Sequence, residues 1–103
     1  MDASALHAQL AAEFADEGIT PSRMFGSDAW FLDGRVVGVM QPHQAAFKLG
    51  AGTPQLEDAL GIPGAELFVP GGERRWKDWV AVPLTEHAHF ARLLEDAIAA
   101  ARA

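Results

Sequence analysis

Apolar positions recur along this chain with two different periods. Leu6, Leu10 and Phe14 fall four residues apart with alanines between them, which predicts a helix over residues 2–17. Asp2 or Ser4 suits its start, Gly18 its end, and Thr20-Pro21 blocks continuation. From residue 23 the period shortens to two. Residues 23–32 and 35–41 read as strands joined by Asp33-Gly34, a two-residue turn in which both positions need φ > 0. Residues 45–49 read as a short third strand. Thr53-Pro54 opens a short helix that ends near Leu60. Residues 65–69 and 76–82 read as two more strands around the turn Pro70-Gly71-Gly72-Glu73. Thr85 suits the start of a last helix over 86–101, with Phe90, Leu94 and Ile98 on the helical repeat. The order α-β-β-β-α-β-β-α, with short connections, predicts an α+β domain. Its five-stranded antiparallel sheet carries helices on one face, in two layers.

The Asp33-Gly34 turn also predicts a register. Phe31 is expected opposite Val36, Trp30 opposite Val37, Ala29 opposite Gly38 and Asp28 opposite Val39. Alternation then divides the hairpin into two faces. One carries Phe25, Ala29, Phe31, Val36, Gly38 and Met40 and no charge. The other carries Met24, Asp28, Trp30, Leu32, Arg35, Val37 and Val39. Charge argues that the first face meets the helices. The second is then open, and continuing the parity adds Lys48, Lys77 and Trp79 to it. Trp30, Arg35, Val37, Val39, Lys48, Lys77 and Trp79 therefore form the candidate interaction surface, because exposed apolar patches with tryptophan and arginine mark docking sites.

Composition narrows the function. The 103 residues suit one domain over 1–103, and a chain of this mass buries about 65% of its unfolded surface, enough for one core. Having no cysteine, it has neither disulfides nor thiolate chemistry. No apolar run reaches membrane-spanning length, and the start lacks a signal-peptide pattern, so the expected location is the cytoplasm. A net charge of −6 argues against direct nucleic-acid binding. The charge is uneven, however: the first eighteen residues are acidic, whereas Arg23, Arg35, Lys48, Arg74, Arg75 and Lys77 sit mid-chain.

Four runs of residues together resemble a known family. They are Met24-Phe25-Gly26, Phe31-Leu32-Asp33-Gly34-Arg35, Phe47-Lys48-Leu49 and Trp76-Lys77-Asp78-Trp79-Val80-Ala81-Val82-Pro83. In this order and spacing they resemble the TfoX/Sxy N-terminal domain family over about residues 5–101. The resemblance implies a five-stranded antiparallel sheet with helices and a bacterial, regulatory role without catalytic residues. The family's namesake regulates competence genes alongside other transcription factors. Full-length members carry a C-terminal domain that these 103 residues do not include, so the chain reads as a single-domain member.

Other constellations are weaker than this surface. Gly50-Ala51-Gly52-Thr53-Pro54 precedes a helix but lacks both the third glycine of a dinucleotide loop and the Gly-Lys-Ser/Thr of a P-loop. His87 and His89 lie two apart on the expected helix and point to different sides; with His43 they make no ligand set. Ser4, Ser22 and Ser27 lack a nucleophile-elbow context. Glu73-Arg74-Arg75-Trp76-Lys77 is a basic stretch with one aromatic. The expected function is non-enzymatic binding or regulation, with a protein partner or a second copy in a homodimer, and no cofactor or metal. The alternatives are a small-ligand or nucleic-acid module using Trp30, Trp79, Arg35, Lys48 and Lys77, and an enzyme with scattered catalytic groups.

Overall fold

The computed structural model describes residues 2–24, 26–72 and 74–103. In chain order the elements are α1 (Ala3–Glu13), β1 (Ile19–Met24), β2 (Ser27–Leu32), β3 (Arg35–Met40), β4 (Gln44–Lys48), α2 (Pro54–Leu60), β5 (Glu66–Phe68), β6 (Trp76–Pro83) and α3 (Phe90–Arg102). One open antiparallel sheet runs β1-β2-β3-β4-β6-β5. The fold is α+β as expected, but the sheet has six strands where five are predicted. The extra strand is β1. Pro21 reads as a breaker, yet β1 lies at the sheet edge and pairs with β2 alone, and an edge strand tolerates a missing N–H. The expected strand 23–32 is thus a hairpin, turned at Gly26 with φ 73°.

Capping explains two helix starts. The Asp2 side chain accepts the Ser4 N–H at 3.1 Å. Thr53 accepts the Leu56 N–H at 3.2 Å ahead of Pro54, as the sequence predicts. Substituting Thr53 by alanine should lower stability by about 1 kcal/mol, read as a denaturant midpoint shift with unchanged slope. The last helix differs from expectation. A 3₁₀ segment over Leu84–His89 precedes α3, so Thr85 does not cap it. From there Phe90, Leu93, Leu94, Ala97 and Ile98 form one buried stripe.

All three helices pack on one sheet face. Leu6, Leu10 and Phe14 of α1, Leu56 and Ala59 of α2, and the α3 stripe share a core with Trp30, Val37, Phe47, Val80 and Val82 from the sheet. A second, smaller cluster lies on the opposite face: Ala29, Val39, Ala46, Phe68, Trp79 and Ala81.

The hairpin at Asp33-Gly34 begins as predicted. Both turn residues are left-handed, φ 51° and 79°, and Phe31 pairs with Val36. The next rung departs. Trp30 faces Gly38 rather than Val37, Ala29 faces Val39 and Asp28 faces Met40, so β3 carries one extra residue, a β-bulge. Gly38 makes the bulge possible: a Cβ there would lie 2.6 Å from Cε3 of the Trp30 indole. The ring occupies the space that any other residue would fill.

This overturns the predicted faces in two ways. Along β2 the expected alternation holds, but the Trp30 and Leu32 side turns toward the helices while Ala29 and Phe31 turn away. Along β3 the bulge splits the predicted sets: Val37 and Met40 lie under the helices, Val36 and Val39 on the other side. Phe25 is outside the described residues. Charge misleads about the faces because Asp28 and Arg35 sit at the rim of the helix layer. Asp28 accepts from Ser4 Oγ at 3.1 Å and from Arg23 Nη1 at 3.2 Å. Arg35 donates to the Ala101 carbonyl at 3.1 Å, at the C-terminal end of α3, where a cation is favourable.

Candidate interaction surface

Of the seven candidate residues, Trp30 and Val37 are core. Trp30 is 0% exposed; its ring stacks on Phe47 at 5.6 Å and 11°, and its Nε1 donates to the His7 carbonyl at 3.2 Å. His7, buried beside it, donates from Nε2 to the Ala29 carbonyl at 2.6 Å, since a carbonyl can only accept. This polar pair ties α1 to β2 inside an apolar core. Arg35 is exposed on the helix side. Val39, Lys48 and Trp79 do lie on the expected open face, although Val39 pairs with Ala29 and not with Asp28; Lys48 pairs with Trp79 across β4 and β6. Lys77 is exposed on β6 between the two tryptophans of that strand. Trp30 and Trp79 therefore stand on opposite sides of the sheet, and a site built on both together does not form.

The helix-free face has a layered construction. The register places Ala29, Val39, Ala46 and Ala81 side by side in one row across four strands. These small residues are nearly inaccessible although no described helix covers them. Larger side chains lean over the row. Phe68, Trp76 and Trp79 form a mutual aromatic cluster with ring centroids 5.6–5.9 Å apart. Met24, Phe31, Val36 and Trp76, all partly buried, pack onto the cluster from its margins. A second bulge brings Trp76 to this side. Leu67 pairs with Val80, but Phe68 pairs with Trp76, so β6 contributes extra residues there. The surface thus offers four partly exposed apolar side chains over a small rigid core. Alternation alone puts Trp76 on the wrong side of such a strand; Gly38 is the residue signal for the first bulge, and none in the sequence marks the second.

Charge divides between the two layers. Glu13, Asp16, Glu17, Glu57, Asp58 and Glu95 are exposed on the helices and the turn after α1. Among the described residues, Arg23 pairs with Asp28 and Arg102 with Glu17, each at 3.2 Å. Lys48, Arg74, Arg75 and Lys77 are exposed and make no ion pair among the described residues; they lie on or beside the strands carrying the aromatic cluster. Glu73 of the same basic stretch is outside the described residues.

The other candidates do not assemble. Thr53 Oγ1 donates within its own loop, to the Leu49 or Gly50 carbonyl at 3.0 and 2.9 Å, so the Gly50–Thr53 turn serves to cap α2. His43 and His87 line an open hollow of about 490 Å³ with Pro83, Leu84 and Thr85, but no three His, Cys, Asp or Glu side chains gather for a metal among the described residues. A polar hollow of about 460 Å³ lies where α1 meets the β1–β2 turn, lined in part by Ser4, Arg23, Asp28 and Gln41. Within it Ser4 Oγ donates to Asp28 Oδ2 at 3.1 Å, and Asp28 is also paired with Arg23. No described helix is long and apolar enough to cross a membrane. No family model, curated protein or solved structure matches this chain.

Proposed function

We propose that this chain is a non-enzymatic binding module that acts by docking another protein on its helix-free sheet face. The observation that carries this reading is the set of partly exposed apolar side chains, Met24, Phe31, Val36 and Trp76, on a sheet face no described helix covers. A monomeric domain normally hides such a face or uses it, and contiguous apolar patches mark interaction sites. The resemblance to the TfoX/Sxy N-terminal domains supports a regulatory, bacterial and cytoplasmic setting for that docking, without catalysis. The interface proposed here replaces the sequence-derived one: Val39, Lys48, Lys77 and Trp79 are kept, Trp30 and Val37 pass to the core, Arg35 passes to the helix side, and Phe31, Val36, Met24 and Trp76 join.

A photo-reactive residue placed at Val36 should form higher-mass adducts in a bacterial cell. The same residue at Arg92, exposed on the helix layer, should form none. Phe31→Ser in the Val36-labelled protein should reduce the adducts several-fold while far-UV circular dichroism stays native. Equal labelling from both positions, or none from Val36, would remove the assignment of this face.

A second reading, a small-ligand site, has one observation behind it: the polar hollow in which Arg23 and Asp28 point opposite charges into a common space. The two groups largely satisfy each other, which makes it the lesser reading.

A further inference from the structure

Resting on that reading of the face, we infer that its occupant is an acidic segment of another protein, with apolar anchors interspersed among its carboxylates. The apolar part of the surface is the set of Met24, Phe31, Val36 and Trp76. Lys48, Arg74, Arg75 and Lys77 stand at its β4–β6 side, exposed and without ion pairs among the described residues. Asp78 on β6 and Glu66 on the adjoining β5 lie in the same quarter, which is weakly positive among the described residues, on a protein whose net charge is −6. A cation left unpaired next to apolar surface gains most from a carboxylate delivered together with a hydrophobic contact, because burial of the anchor dries the pair. The acid-rich helices face the other way and leave an acidic partner unopposed on this side.

Two other occupants fit less well. A second copy docked face to face presents the same weakly positive surface to itself and supplies few carboxylates to the four cations, since a two-fold interface matches a patch with itself. A single strand of nucleic acid needs open aromatic planes to stack on. Here Phe68 and Trp79 are 1% and 3% exposed, their rings engaged with each other and with Trp76. That leaves Phe31 and Trp76 as partly open rings, at opposite margins of the cluster.

Fluorescence anisotropy with a labelled synthetic twelve-residue peptide tests this. The peptide alternates Glu with Leu and Phe; controls carry Lys in place of Glu, or Gly in place of Leu and Phe, and a twelve-nucleotide oligo-dT is run beside them. The acidic apolar peptide should bind, more tightly as salt falls. Affinity should drop about ten-fold in the double variant Lys48→Glu/Lys77→Glu, the scale expected for two exposed pairs lost and made repulsive. Val36→Asp should weaken it as well, and both control peptides should fail. Both lysines are exposed, so the double variant should keep its unfolding midpoint. Four results overturn the inference: no binding of the acidic peptide, equal binding of the Lys peptide, indifference to the double reversal, or tighter binding of oligo-dT. Sedimentation as a dimer that Val36→Asp dissolves would assign the face to a second copy instead. If the acidic peptide fails while the cross-linker at position 36 still captures adducts, the occupant is wrong and the face is right. If both fail, the face itself is not the interface.

Discussion

Replacing Trp30 with alanine is expected to destabilise the domain by about 3–5 kcal/mol, the range for truncating a buried aromatic. A domain of this size is stable by about 5–15 kcal/mol, so the variant should be marginally folded or unfolded at room temperature. The reason is the site. The indole is fully buried between α1 and β3, stacked on Phe47 and 5.1 Å from the His7 ring, and its Nε1–H reaches the His7 carbonyl. Trp30→Phe keeps a ring on Phe47 and loses mainly ring volume and one hydrogen bond, so it should cost markedly less. Urea or guanidinium unfolding of the three proteins checks this. A Trp30→Ala cost under 1 kcal/mol would mean that the ring is not in the core. An association partner, by contrast, should not distinguish Trp30→Phe from the parent: the sequence expectation that Trp30 is an interface anchor and this expectation give opposite results.

Gly38→Ala should cost about 1–3 kcal/mol, the usual effect of forcing a methyl into filled space. Its added Cβ would lie 2.6 Å from Trp30 Cε3 and 3.2 Å from the Ala46 carbonyl oxygen. The carbonyl belongs to the central strand β4 and cannot retreat, so the indole has to move. The cost is therefore expected to shrink in a Trp30→Phe background, whose shorter ring leaves room. The double-variant cycle should show a coupling of at least about 0.5 kcal/mol, as neighbours in direct contact do. Additive effects would show that the ring and Gly38 do not share space. Because Gly38 also sits in the bulge, the same substitution probes what selects the hairpin register.

Much of the architecture was legible in the residues. The Asp33-Gly34 turn, the Thr53-Pro54 helix opening and the repeat through Phe90, Leu94 and Ile98 are local signals, and the structure contains each of them. They are legible because a left-handed turn, a side-chain cap and a helical stripe are decided within a few residues. β1 was not legible. Pro21 and four exposed positions make a poor strand, and only pairing with β2 at the sheet edge sustains it. The last helix start failed for a related reason, since Thr85 falls in a 3₁₀ segment laid against β6 rather than at the first turn of α3.

The candidate surface was half legible. Val39, Lys48 and Trp79 fall on the helix-free face because the end of β3 beyond its bulge, β4 and the stretch of β6 paired with β4 keep one uninterrupted register. Trp30 and Val37 fall on the wrong side because alternation carries no record of which face a helix will cover, and one inserted residue reverses everything beyond it. Asp28 and Arg35, read locally, exclude their face from the core. Both instead reach the ends of helices, where charge finds partners: the first turn of α1 and the last carbonyls of α3. Distances of that kind join residues 24 and 66 positions apart, and no local pattern encodes them.

By itself, the sequence determined the elements that close on short-range rules: three helices, the tight hairpin, the alternating strands and an α+β antiparallel class. The tertiary structure alone decided the sixth strand, both bulges and the side on which each tryptophan stands. The physical reason is that a strand's side chains have two equivalent sides until something packs against one of them. Here that choice is made by the indole of Trp30 over the bare Cα of Gly38, a contact between neighbouring strands that exists only once the sheet has formed.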